Sequence, residues 1–599
     1  MGIPHLKRYL EPYAKRGTVS SCKVALDGPA FAYFILGLCL RKTSRSPFEQ
    51  PSYELLGRTA IAWLDRIQEC GLFISAIYFD GFLPTLKQPE RMQRLLKLSQ
   101  ELRNYHQTCP AGVQKERAHF SPDAPVDLFP SSSAGESKGK PPVPPFLVPA
   151  IIDALSSSKR YASLTEVVPA EADVFCARHA RQHGGVVLTS DSDLLIHDLG
   201  PEGSVIFFGD IDVNTETEST MTATATALQY TISDICQRLS LNPSTGMAHL
   251  AFELTMDSHL SIEQAVKRSR KEDAVSLYPE DYADFLEQYL TPEESASSDI
   301  EGTSPRLSLD PRISEIALRA SGTLQPPETP DDIGRHTQAG NGLSIYLPFL
   351  LDSPLRTSAW ESSKRIRQLA YTLLQPAEGK ALRSVSEFRK LQTASAGIQV
   401  ELLSSPAVDE EASTLLDVLS SLKLGITNPE TIWLALSIYY DIILTVDQGK
   451  TRPLSLDLFR LAALGKLDQL SWDFLHFLAQ AQATYYSLRI LRQLISFRQQ
   501  LHGALSTPMK KLDAMLSDLP SLADFPSPRG FADMLRQTKE AGALKCLAGI
   551  CVEYEDIVPQ LETPRPKSDK RMKRLRPPQD STPARKKTNN PFGALAVDE

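Results

Sequence analysis

The chain has 599 residues, 42% hydrophobic and 23% charged, with a formal net charge of −8 at pH 7. That length holds several domains, and the balance is that of a soluble globular protein. A negative total excludes binding to polyanions through overall charge, so any such site must be a local basic patch.

Charge is unevenly placed: Arg565 to Lys587 carries ten Lys or Arg against Asp569 and Asp580. Eight scattered cysteines with no C-x-x-C pair predict reduced thiols rather than a disulfide framework or zinc site. No basic segment precedes an apolar core at the N-terminus, so a signal peptide is not expected. Gly2 suggests myristoylation, but Leu6 stands where that pattern needs Ser or Thr. The apolar runs Phe31 to Leu40 and Ile432 to Val446 are too short to span a bilayer, which predicts no membrane partner.

In chain order, Cys22 to Leu26 reads as a strand ending at Asp27-Gly28, and Phe31 to Leu40 as a buried helix. Tyr53 to Cys70 has apolar residues at helical spacing, with Gly71 placed to end it. Ile74 to Phe79 is the next strand, ending at Asp80-Gly81. Strands alternating with helices predict right-handed crossovers and a mostly parallel sheet. Lys87, Arg91 and Arg94 then share one face of a helix-like stretch, which as plain sequence is equally a solvated face.

Residues 109–145, rich in Pro, Ser, Gly and Lys, read as a disordered insertion. Phe146 to Leu155 predicts a helix and Ser163 to Val168 a short strand. Pro169-Ala170-Glu171-Ala172-Asp173 opens a helix reaching His183, which by itself is also ordinary capping chemistry.

Val186-Val187-Leu188 is a buried strand broken by Thr189-Ser190-Asp191-Ser192-Asp193, which sets two carboxylates just past its carboxyl end. In open parallel sheets that edge is where ligands bind, although an Asp-Ser-Asp turn on a surface would read alike. Ser204 to Phe208 predicts a strand, Thr215 to Ala227 a Thr/Ala-rich loop, and Ser233 to Leu239 and Met247 to Leu254 two helices leading to Asp257. The expected division is 1–290 as an α/β domain, 291–342 as linker, 343–560 as a mainly helical region and 561–599 as a disordered basic tail.

Asp27, Asp80, Glu171, Asp173, Asp191 and Asp193 all fall at strand ends or a helix start on one inferred sheet edge; Asp257 follows a helix that could return to it. All-oxygen ligation suits Mg²⁺ or Mn²⁺, and seven acids exceed the needs of one ion that keeps its waters. A pair of ions is the arrangement for in-line attack on a phosphodiester, and a basic helical face beside it would grip a phosphate backbone.

Met1-Gly2-Ile3-Pro4-His5-Leu6, Val24-Ala25-Leu26-Asp27-Gly28, Tyr78-Phe79-Asp80-Gly81 with Pro84 and Leu86-Lys87, Ala170-Glu171-Ala172-Asp173, Thr189 to Leu194, and Leu254-Thr255-Met256-Asp257 stand in that order. This series resembles the flap endonuclease/XPG superfamily of PIN-like nucleases, most closely its Asteroid branch, over residues 1 to about 258. The resemblance implies a PIN-like 5′-nuclease fold with seven acids serving two Mg²⁺ or Mn²⁺ ions. It also implies Lys87 and Arg94 at the scissile phosphate and Gly2 near the site. The implied activity is hydrolysis of DNA, with RNA as the alternative, at junctions or 5′ ends. Three departures stand out: Glu171-Ala172-Asp173 replaces Glu-x-Glu, Ser258 to Lys271 lacks the glycines of a duplex-gripping helical hairpin, and the 109–145 insertion replaces the arch.

Two functions compete. One is a metal-dependent, structure-specific nuclease in the nucleus acting in DNA repair or processing, its basic tail resembling a bipartite localisation signal. The other is a catalytically weak nuclease-like scaffold that binds RNA or protein partners. Small-molecule phosphoryl chemistry lacks a phosphate-cradling glycine loop.

Overall fold

The computed structural model describes residues 3–40, 50–84, 87–112, 126–130, 143–214, 224–289, 309–321, 343–376, 381–390, 397–467, 471–503, 505–528 and 530–551. Gly2, residues 291–308 and 322–342 of the expected linker, most of the 109–145 insertion and the basic tail lie outside the described residues.

The N-terminal half is built on the strands β1 (Lys15–Thr18), β2 (Cys22–Asp27), β3 (Leu72–Asp80), β4 (Thr165–Val168), β5 (Gly185–Thr189), β6 (Gly203–Phe207), β7 (Ile211–Asn214) and β8 (Thr224–Gln229). Five of them form one sheet in the order β4-β3-β2-β5-β6. Every pairing in it is parallel, with Val24 opposite both Ile74 and Val186. The chain starts at the centre, moves outward through β3 and β4, then returns to the other side of β2. The switch point therefore lies between the carboxyl ends of β2 and β5, where such sheets open a crevice.

Side-chain alternation builds two cores. Val24, Leu26, Val186 and Leu188 face one layer with Phe31, Trp63 and Ile151. Ala25 and Val187 face the other with Cys176, Leu250 and Ala251. The first layer is α2 (Gly28–Leu40), α3 (Tyr53–Glu69) and α5 (Leu147–Ser157). The second is α1 (Leu6–Leu10), α6 (Ala172–His183), α7 (Ile232–Leu239) and α8 (Gly246–Met256), followed by α9 (Ile262–Lys271), α10 (Asp273–Leu277) and α11 (Pro279–Tyr289). The long α4 (Gln88–Thr108) crosses between β3 and α5 in the chain. Ser52 caps α3 by accepting from the Leu55 N–H at 3.1 Å, and Gly71 takes φ +93° just beyond its end.

The glycines following the two strand-end aspartates permit close packing. A Cβ on Gly28 would lie 2.6 Å from the Phe79 ring and the Tyr78 carbonyl oxygen, and one on Gly81 2.3 Å from the Val168 carbonyl oxygen. These approaches press the strand ends together, so Asp-Gly is required sterically as well as chemically.

Three local expectations change. The Thr/Ala stretch expected as a loop is strand from Thr224 onward: β8 pairs antiparallel with β1 and β7. Ala225 and Ala227 are buried between less buried threonines, a period-two pattern that small side chains make faint. The region after 343 is mainly helical, but it also holds a small sheet of β9 (Leu343–Tyr346), β10 (Ser384–Phe388) and β11 (Ile398–Glu401) in the order β11-β10-β9. The stretch ahead of it contains α12 (Pro311–Ser321).

The later helices are α13 (Lys364–Thr372), α14 (Ser405–Gly425), α15 (Ile432–Asp447), α16 (Leu454–Ala463), α17 (Trp472–His502), α18 (Thr507–Leu516), α19 (Phe531–Glu540) and α20 (Ala543–Ile550). Their core is continuous with the first layer of the sheet, running from Val24 and Phe31 through Trp360 and Tyr486 to Leu547. Phe146 stacks on Tyr486 with ring centres 4.5 Å apart. Arg489 on α17 is bonded to both Asp153 on α5 and Asp310 beside α12. No helix among the described residues is long and apolar enough to cross a membrane.

Candidate metal centre

Six acids come from four places along the carboxyl edge. Asp27 ends β2 and is 4% exposed; its Oδ1 accepts from the Ala30 N–H at 3.1 Å and its Oδ2 from the Thr189 hydroxyl at 2.6 Å. Asp80 ends β3 and accepts from the Ala172 N–H at 2.8 Å, which fixes α6 beside the strand. Glu171 stands at the N-cap position of that helix without a capping side-chain bond, and Asp173 sits in its first turn. Asp191 follows β5 and accepts from the Asp193 N–H at 3.1 Å, while its own N–H donates to the Thr189 hydroxyl at 2.8 Å. Asp193 accepts from the Ile3 N–H at 3.0 Å, which ties the chain's start to the site.

The electrostatics show that these acids share one place. Burial, then the charges of Asp80 and Asp191, push Asp27 up to about 7 against the bonds from Thr189 and Ala30. Burial and Glu171 push Asp80 up to about 6 against the Ala172 N–H and Lys87. Burial and Asp191 raise Asp193 to about 6. Asp173 is raised well above the carboxylate range by burial and by Asp27, Asp191, Asp80 and Glu171. Buried like charges of this kind require a cation or a proton.

Lys87, at the start of α4, supplies one cation by donating to Glu171 Oε1 at 2.6 Å. A hard divalent cation fits the donor set in kind, since every candidate ligand is a carboxylate oxygen. Among the described residues, however, no three His, Cys, Asp or Glu side chains stand in a ready coordinating arrangement. The two facts agree physically: the acids are near enough to raise one another's proton affinity, but their oxygens are turned to Thr189, backbone N–H groups and Lys87.

The other expected residues stand apart. Asp257 follows α8, where it accepts from the His259 N–H at 3.1 Å and lies 3.8 Å from Arg268 Nη1, so its partners are in the α8–α9 corner. Arg91 leaves the expected basic face: it is buried, makes two bonds to Glu315 at 2.8 and 2.9 Å, and lies 5.1 Å from the Tyr346 ring centre. Helical spacing with Lys87 and Arg94 concealed this, because Glu315 is 224 residues away in the chain. Arg94 is exposed, with Glu90 at 3.4 Å as its one ion-pair partner among the described residues. Thr189, which holds both Asp27 and the Asp191 backbone, was visible in the sequence only as a turn residue.

Residues 143–402 match the family profile described as XPG domain containing. A curated relative, Asteroid homolog 1 of Schizosaccharomyces pombe, is 23% identical over 398 residues, 62% of this chain and 60% of that protein. The chain thus spans about 60% of the relative's length. The profile covers the acids of α6 and of the β5 turn, and the sheet positions Asp27 and Asp80 beside them. With a five-stranded parallel sheet and this run of strand-end acids, the chain is similar to XPG-domain proteins over residues 143–402 and to Asteroid homolog 1 over 398 residues.

Proposed function

We propose that this protein is a metal-dependent, structure-specific nuclease that hydrolyses phosphodiester bonds in DNA, with RNA as the alternative substrate. The observation that carries this reading is the convergence of six acids, several with strongly raised proton affinity, at the sheet's switch point beside Lys87.

Asp27, Asp80, Glu171, Asp173, Asp191 and Asp193 would hold two Mg²⁺ or Mn²⁺ ions. Bound there, the ions supply an activated water and neutralise the leaving oxygen. Thr189 orients Asp27 and keeps the β5 turn in place. The Ala172 and Ile3 N–H groups each hold one oxygen, of Asp80 and Asp193, so a bound ion would have to draw the remaining carboxylate oxygens toward it. Lys87 carries positive charge at the edge of the acids, where it offsets charge on the phosphate, and exposed Arg94 extends that field two helical turns along α4. Asp257, paired toward Arg268, is left outside this set. The basic tail fits action in the nucleus, in DNA repair or processing.

The second reading, a scaffold with weak or no catalysis, is favoured by the internal donors that satisfy several of the acids. A panel of labelled substrates with Mg²⁺ or Mn²⁺ separates the two: a 5′ flap, a splayed fork, a nicked duplex, single-stranded DNA and RNA. Cleavage by the wild type that vanishes in Asp191→Asn/Asp193→Asn supports the nuclease. Equal behaviour of the two proteins across the panel leaves the scaffold.

A further inference from the structure

Helix α12 follows the first 290 residues in the chain, yet it is fastened to the segment just after Asp80. A Cβ on Gly81 would lie 2.9 Å from Ser314 Oγ, so the helix packs directly on that backbone. Arg319 Nη2 donates to the Leu83 carbonyl at 2.8 Å, and its guanidinium lies 4.6 Å from the Phe82 ring centre. Glu315 takes both bonds from Arg91 on α4 and one from Arg319 at 3.1 Å. Asp310, just ahead of the helix, is locked to Arg489. The helix is held at four points and packs beside the end of the strand that carries Asp80.

Arg312, one turn before Glu315, is treated differently from the guanidiniums around it. Arg91, Arg319 and Arg489 all have carboxylate partners, whereas Arg312 makes no hydrogen bond or ion pair within reach among the described residues. It is half-buried, and its charge is felt by Asp80 as well as by Glu315 and Arg91. A guanidinium removed from much of its water and left without a partner is costly. Its planar fork of donors matches a phosphate, which it can take through two bonds.

We propose that Arg312 is a phosphate-binding residue of the acid site, contacting the backbone of a nucleic-acid strand laid beside Asp80. The identity of the ligand rests on the nuclease reading; the assignment of a ligand-facing role rests on α12 and the missing partner. The competing explanation is that Arg312 serves only as a fixed counter-charge for the acids.

The test uses the full chain in EDTA, with fluorescein-labelled single-stranded DNA and RNA of one sequence and anisotropy read across a NaCl series. The proteins are the wild type, Arg312→Gln, Arg312→Lys and, as control, Lys511→Gln, an exposed charge on α18. Arg312→Gln should weaken binding roughly tenfold and reduce the slope of log K against log salt by about 0.7, the loss of one single-strand phosphate contact. Arg312→Lys should keep most of the slope while losing affinity, because it retains charge but not the fork. Lys511→Gln should match the wild type.

Wild-type affinity and slope in Arg312→Gln would overturn the proposal, as would weakened binding with an unchanged slope in both Arg312 variants. If the wild type cleaves the substrate panel while these variants bind normally, only this assignment falls. If the wild type neither binds nor cleaves, the nuclease reading falls with it.

Discussion

Lys87 Nζ and Glu171 Oε1 meet at 2.6 Å, joining the start of α4 to the start of α6 across 84 residues of chain. Burial works against a charged lysine here, but Glu171, Asp173 and Asp193 outweigh it and hold the ammonium proton above its usual range. The ammonium therefore neutralises part of the acid cluster. Lys87→Ala should lower cleavage by about 10²-fold, the scale of losing one positioned electrostatic stabiliser. It should also lower Tm in EDTA, with Lys87→Arg recovering part of both. Single-turnover rates and thermal unfolding read the two effects separately, and undiminished rates would remove Lys87 from the site.

Crowded buried acids should make the fold respond to divalent cations. An ion binding only the folded chain at one hundred times its Kd contributes about 2.7 kcal/mol. Mn²⁺ should accordingly raise the Tm of the wild type at neutral pH. Asp191→Asn/Asp193→Asn should be at least as stable as the wild type in EDTA, since it relieves repulsion, and should gain much less from Mn²⁺. Equal Mn²⁺ shifts in both proteins would argue against ligation by these residues.

The continuous core predicts one folding unit rather than a nuclease domain tethered to a helical one. Arg489 binds Asp153 and Asp310 together, with bond lengths from 2.7 to 3.0 Å. Arg489→Met leaves two acids facing each other at the junction and should cost about 3–5 kcal/mol, the range for breaking a buried ion pair. Denaturant unfolding followed by tryptophan fluorescence and by far-ultraviolet circular dichroism should give coincident transitions in wild type. Two separated transitions would contradict the single unit.

A pH dependence comes from a buried ion network remote from the acids. Burial pushes Glu387 up, but Arg367 and Arg389 prevail, with further bonds from Arg367 and Tyr371, and hold it at about 2 against the usual 4.5. A depressed carboxylate contributes stability that is present above its unfolded value and is lost as pH falls toward its folded value. Stability should therefore decline between about 4.5 and about 2 through this group. Glu387→Gln should be less stable at pH 7 and show a shallower decline in that window. Urea midpoints measured across the window check the slope; parallel wild-type and variant curves would refute the assignment.

The strands at 22–27, 72–80 and 185–189 were legible from β-branched runs broken by Asp-Gly or Thr-Ser-Asp, and with the helix start at 171–173 these placed six of the acids at strand ends or a helix start. Local spacing was also enough for α3 and α6, whose caps and terminating glycines are neighbours in the chain. It failed at Arg91, which shares a helical face with Lys87 and Arg94 but turns inward to Glu315. It failed for β8 because alanines carry little hydrophobic contrast, and for β9 to β11 because short strands amid helices give too few residues to show a period.

What the sequence by itself determined is the parallel α/β core and the carboxylates at its edge, since both follow from side-chain periodicity and turn chemistry within a few residues. What only the tertiary structure decided is which cations face those carboxylates. Glu315 takes Arg91 out of reach, α12 brings Arg312 within electrostatic reach of Asp80, and Asp257 turns to Arg268. Ion pairs across hundreds of residues are set by how layers pack, and no local pattern records that choice.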